Sequence, residues 1–199
     1  MLAKTTRETP LSDETLIRQI ADGNKLAMRA LFARHQVRVY RFALRIVRDT
    51  ALADDVVSEV FIDAWQHAGR YEGRSTVSTW LLGIARHKAL TAATTKSRSF
   101  ESLDGAAAIN VADPTADQGA AMLEYERSVI LHRCLEALSP EHREIIDLVY
   151  YQEMSIKQIA DLLAIPENTV KTRMFYARKR LAILVEAAGS ERPEAVSLH

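Results

Sequence analysis

Residues 155–185 carry the side chains best placed for chemistry. Asn168, Thr169, Lys171, Thr172 and Phe175 crowd the start of a helical pattern, and Arg178 follows within a turn. Lys157, Lys171, Arg173, Arg178, Lys179 and Arg180 stand against only Asp161 and Glu167, six positive charges against two and a local net of +4. The elements that must position them can be read directly. Ser155 with Gln158 three residues on is a capping box, so a helix starts there. Ile156, Ile159, Ala160 and Leu163 then share one face. Pro166 ends that helix and suits the first turn of the next. Val170, Met174, Ala177 and Leu181 continue the apolar spacing. Two short helices with a tight turn, the second basic, predict a helix-turn-helix whose second helix presents its N-terminal side chains to base edges. A basic helix pair that only packs is the alternative.

A second cluster is acidic. Asp54 and Asp55 open a run in which Asp55, Glu59 and Asp63 fall at i, i+4 and i+8. No cation lies between Asp54 and Gln66. Like charges at this spacing cost a few tenths of a kcal/mol each. The row is therefore either solvated or faces a basic partner. A two-metal carboxylate site is disfavoured because no Glu-x-x-His pair accompanies it, and no metal or cofactor is expected.

A third cluster is aromatic and hydroxylic. Residues 69–80 lack helical periodicity and set Tyr71, Ser75, Thr79 and Trp80 among glycines and arginines. A helix is expected to start at Trp80, with Arg86, His87 and Lys88 on its outer face. Stacking faces and small donors suit the capture of an unpaired base. An ordinary connector with two anchoring aromatics is the other reading.

The rest of the chain must carry these clusters. Its 199 residues suit two small domains, and a hydrophobic share of 48% supplies their cores. The 26 basic and 26 acidic residues cancel, which excludes a uniformly basic coat but allows segregated charge. The single Cys134 excludes an internal disulfide and a zinc finger, and its place on an apolar stripe reads as a buried hydrophobe. No 18-residue apolar span and no signal-like run is present, so a reducing cytoplasm is expected. Helical patterns cover Ser12 or Asp13 to about Asp22, about Lys25 to Val47, and residues 52–68. Others begin near Trp80, Ala120, Pro140, Ser155 and Pro166. The expected fold is all-α: a helical domain over 13–95, an acidic flexible linker over 96–120 and a second helical domain over 121–187. No Walker loop, nucleophile motif or metal cluster suggests an enzyme.

This order of motifs resembles the extracytoplasmic-function group of the bacterial sigma-70 family. The stretches that carry the resemblance are residues 53–61, Ala-Asp-Asp-Val-Val-Ser-Glu-Val-Phe, and residues 78–86, Ser-Thr-Trp-Leu-Leu-Gly-Ile-Ala-Arg. In the second domain they are residues 138–143, Leu-Ser-Pro-Glu-His-Arg, then 159–163 and 169–173. The resemblance implies a promoter-specificity subunit of RNA polymerase. The helix with Asp54, Asp55, Glu59 and Asp63 would dock on the β′ clamp helices, and the β flap would be a further polymerase contact. Tyr71, Ser75, Thr79, Trp80, His87 and Lys88 would melt and capture the −10 element. Asn168, Thr169, Lys171, Thr172, Phe175 and Arg178 would bind the −35 element, Lys171 toward guanine acceptors and Phe175 toward a thymine methyl. An anti-sigma protein is a further implied partner. Ser58, His87 and Ala164 depart from the family's usual Gln, Asn and Gly. Ala164 predicts a turn that avoids positive φ. A stand-alone helix-turn-helix regulator is the competing function; it needs dimerisation and two half-sites.

Overall fold

The computed structural model describes residues 11–100 and 118–190. The chain divides into two compact units, residues 1–109 and 110–199, and each is taken by itself.

The N-terminal unit contains α1 (Asp13–Ala21), α2 (Lys25–Val47), α3 (Thr50–His67) and α4 (Val77–Phe100), with a single 3-10 turn at Ala68–Arg70. Each of the first three starts on a side-chain cap. The Ser12 hydroxyl accepts from Thr15 N–H, the Asn24 carbonyl from Leu26 and Ala27, and the Asp49 carboxylate from Leu52. Gly23 closes α1 at φ +84°, a conformation that suits glycine. α2 packs against α1, α3 and α4, and α3 packs against α4. The core is Leu16, Ile17 and Ile20 from α1, with Leu31, Val39, Phe42 and Ala43 from α2. α3 adds Val56, Val57, Val60, Phe61 and Ala64, and α4 adds Leu81, Leu82, Ala85 and Ala89. Two polar latches hold the ends. Asp13 takes Arg34 and, at 2.8 Å, the ring of His35, which is buried. Lys96 reaches Asp49 at 2.6 Å across 47 residues and so fixes the end of α4 to the start of α3.

The C-terminal unit contains α5 (Gln118–Glu136), α6 (Pro140–Ile146), a π-helical turn (Asp147–Tyr151), α7 (Ile156–Leu163) and α8 (Glu167–Ser190). α8 packs on α5, α6 and α7. Leu138, Ile145, Ile146, Leu148, Ile159, Val170 and Ala177 form the core, and Cys134 is buried at its margin as expected. Ser139 caps α6, and Arg143 donates to the carbonyls of Leu135 and Leu138 at 2.9 and 3.1 Å, closing the end of α5.

Two expectations are corrected. α4 begins at Val77, a turn before Trp80, because Thr76 accepts from Thr79 N–H and opens the helix early. Of the expected linker over 96–120, residues 101–117 lie outside the described residues, with α4 ending at Phe100 and α5 starting at Gln118. Ala164 does adopt the left-handed conformation, at φ 53° and ψ 45°. Its N–H and that of Ile165 both return to the Ala160 carbonyl, so two bonds offset the unfavourable backbone.

Two outcomes follow. Ala164 is exposed, so Ala164→Gly removes only the backbone cost. It should raise the urea-unfolding free energy of the C-terminal unit by about 1 kcal/mol; a loss would place the strain elsewhere. The bond from Lys96, then that from Leu52 N–H, lowers the Asp49 pKa below its ordinary 3.8. A lowered carboxylate stabilises the fold fully above that ordinary value and stops doing so as pH falls through the lower folded one. Asp49→Asn should therefore reduce the acid-side loss in thermal melts below about pH 4, where the wild type loses this latch.

Candidate functional site

Three surfaces gather the chemistry. The first is the outer face of α3. Asp54, Asp55 and Glu59 are exposed and Asp63 is half-buried. Asp54 and Asp55 have no cationic partner among the described residues. Glu59 and Asp63 share one: Lys88 of α4 places its ammonium 3.5 Å from the Glu59 carboxylate and 3.2 Å from that of Asp63. The bond to Asp63 holds the Lys88 pKa above its ordinary 10.5, against the opposing effect of burial. Ser58 turns its hydroxyl onto the Asp54 carbonyl at 3.1 Å, so it satisfies itself within the helix.

The second surface is the loop before α4 with the face of α4 beyond it. The Tyr71 and Trp80 rings lie 5.4 Å apart at 53°. The Tyr71 hydroxyl donates to the Ser75 carbonyl, and burial, then Glu14 and Asp13, push its pKa up. Thr79 is buried and shares a 2.9 Å bond with Thr76, so it sits beneath this cluster and not at its surface. Tyr71, Ser75 and Trp80 are thus brought together. His87 is not part of that group. It lies seven residues after Trp80 on nearly the same helical stripe, about 10 Å along the axis. There it lines a cleft of about 720 Å³ between α3 and α4, facing Asp55 and Glu59 and flanked by Lys88 and Thr91.

The third surface is α8. Asn168, Lys171, Thr172, Phe175 and Arg178 are exposed and Thr169 is half-buried. Asn168, Lys171, Thr172 and Phe175 follow i, i+3, i+4, i+7 spacing, so they form one stripe opposite buried Val170 and Ala177. Phe175 stays 62% exposed, with Tyr176 edge-on at 5.4 Å. The capping box at Ser155 forms in both directions, at 2.8 and 3.2 Å, and fixes the start of α7. Sequence reasoning missed two contributors. Lys179 continues the stripe four residues after Phe175, and that spacing was available to read. Tyr150 carries Arg178 over its ring at 5.4 Å; the pair is separated in sequence and gave no local signal.

The comparisons with known proteins bear on this arrangement. The family described as Sigma-70 region 2 matches residues 31–99, and Sigma-70, region 4 matches residues 128–181. The ECF RNA polymerase sigma factor SigL of Mycobacterium tuberculosis is 33% identical over 168 residues, covering 83% of this chain and 92% of SigL. The chain belongs to the ECF RNA polymerase sigma factors of the sigma-70 family. It directs RNA polymerase in promoter-specific transcription. ECF sigma factor SigK of a Mycobacterium species is 30% identical, over 81% of this chain and 84% of its own length. Among solved structures, CnrH in complex with the cytosolic domain of CnrY superposes with a TM-score of 0.63 at 27% identity, covering 88% of this sigma factor and 97% of CnrH. RpoE of Bartonella quintana, solved with the anti-sigma factor NepR, shares the fold at a TM-score of 0.63, with 24% identity and coverage of 78% and 94%. The two matched regions fall one in each unit. No helix among the described residues is long and apolar enough to cross a membrane.

The α8 stripe generates a prediction for the polymerase holoenzyme on a panel of substituted −35 elements. Lys171→Ala and Phe175→Ala should each cost about 1–3 kcal/mol at particular base pairs and flatten the preference there. Arg178→Ala should weaken all sequences alike and reduce the salt slope. Retention of the wild-type base ranking by the first two variants would remove them from the base-reading set.

Proposed function

We propose that the three surfaces divide the work of a sigma factor. The α3 acids Asp54, Asp55, Glu59 and Asp63 dock on a basic surface of core polymerase, the β′ clamp helices. Tyr71, Ser75 and Trp80 receive the base unstacked from the −10 element, with Thr79 setting the turn beneath them. His87 meets the strand one step further along α4. Asn168, Thr169, Lys171, Thr172, Phe175 and Arg178 bind the −35 element, and the second unit also meets the β flap. The 13–95 and 121–187 regions act as separate domains with the intervening segment as tether. The protein works in the cytoplasm without cofactor or catalytic activity of its own. An anti-sigma protein covers these surfaces when transcription is not required; the complex of the similar CnrH with the cytosolic domain of CnrY supports a protein partner.

One observation supports the docking role most directly. A helix that carries Asp54 and Asp55 exposed, with no cation to meet them among the described residues, gains nothing for its own fold from those two charges. These two acids are open to an external cation. A stand-alone regulator would have no use for this face. Reversing Asp55→Lys with Glu59→Lys should abolish co-elution with core polymerase on gel filtration, while circular dichroism shows unchanged helix content. Co-elution like the wild type would end the docking assignment.

A further inference from the structure

We propose that Lys88 is an internal stand-in for the polymerase cation, and that its release couples polymerase docking to promoter binding. The inference rests on the docking role of α3. Its motivation is the pair of contacts from one ammonium on α4 to two carboxylates on α3, at 3.2 Å to Asp63 and 3.5 Å to Glu59. The docking face is thereby split. Its start, Asp54 and Asp55, is open; its end is already neutralised from within.

The geometry sets what must happen on docking. A basic polymerase side chain that engages Glu59 or Asp63 has to compete with Lys88 for the same oxygens. The pair is weak enough to yield: the side chains of Glu59, Asp63 and Lys88 remain 58%, 29% and 26% exposed, and exposed ion pairs are screened by water and salt. Lys88 is anchored on α4 immediately after His87, on the helix that continues from the Tyr71–Trp80 loop. Once displaced, its ammonium keeps its charge and is free to meet a DNA phosphate. A phosphate that draws Lys88 away exposes Glu59 and Asp63 in turn. Both ligands require the same contact to be broken, so the first to bind spares the second that cost. Such coupling is reciprocal. It is bounded by the worth of the pair, at most about fivefold, or about 1 kcal/mol.

This gives Lys88 a role that neither surface assigns to it alone. In the free protein it screens the end of the docking row. In the complex it is a phosphate contact.

The test is a competition measurement of affinity for core polymerase with the full chain, followed by fluorescence anisotropy. Lys88→Met should tighten binding by about two- to fivefold, since the ammonium shared by the two acids no longer competes for them; the His67 ring, 3.8 Å from Asp63, is present in both proteins. Lys88→Gln should do the same, and serves if the methionine variant folds poorly. Lys96→Met removes an equal charge from α4, but its partner is Asp49, and it should leave affinity unchanged. Glu59→Gln with Asp63→Asn should weaken binding, and adding Lys88→Met to that pair should then change nothing. Equal tightening by Lys88→Met and Lys96→Met would reduce the effect to general charge and overturn the proposal. So would unchanged or weaker binding by Lys88→Met where the double acid variant still weakens it, which would leave the docking role standing. An unchanged affinity of the double acid variant would instead remove Glu59 and Asp63 from the docking surface, and the coupling with them.

Discussion

The structure of the first unit depends on α3 having one apolar face and one acidic face at helical spacing. Val56, Val57, Val60, Phe61 and Ala64 are buried against α2 and α4. Burying such side chains is worth about 1.5–3 kcal/mol for each large one. The i, i+4 repulsions along Asp55, Glu59 and Asp63 cost only tenths of that. Packing therefore wins easily, and the helix holds its acids outward in a fixed row. A chain of zero net charge can in this way present a strongly acidic surface at one place and a basic one at another. That separation is what a protein needs if it must meet both a basic polymerase surface and a polyanion.

The second unit solves the opposite problem with similar means. Its α8 is held by Val170 and Ala177 on one side, which leaves Lys171, Thr172, Phe175 and Lys179 on the other. The α7–α8 turn fixes how that helix leaves the core. It turns on the left-handed Ala164, while a reciprocal capping box starts α7 at its other end. Exposure of the Phe175 ring is unfavourable in water and is recovered only against an apolar partner such as a base methyl.

Much of this was legible in the sequence, because caps and periodicity are local. Ser12, Pro140 and Ser155 announced helix starts, and the helical patterns over 25–47 and 52–68 placed α2 and α3. The family resemblance supplied the division of function. What stayed hidden was either conformational or tertiary. Ala164 read as a residue avoiding positive φ, yet two bonds to Ala160 hold it there. Thr79 read as a surface donor, yet its place in the first turn of α4 buries it against Thr76. His87 read with the aromatic pair, but seven helical residues separate it from Trp80 by about 10 Å and it lines the α3–α4 cleft. The Lys88 and Lys96 ion pairs and the Tyr150–Arg178 contact join residues far apart in the chain, and no local pattern encodes them.

The central claim is that acid on α3 serves polymerase while base on α8 serves the promoter. Site-specific photocrosslinking tests it most directly, with a photoreactive residue in place of Asp55 in one preparation and of Phe175 in another. In the promoter-bound holoenzyme, the group at 55 should label a polymerase subunit and leave DNA untouched, while the group at 175 labels the −35 region. Transfer of the label at 55 to promoter DNA, or its failure to label polymerase in an intact holoenzyme, would contradict the account.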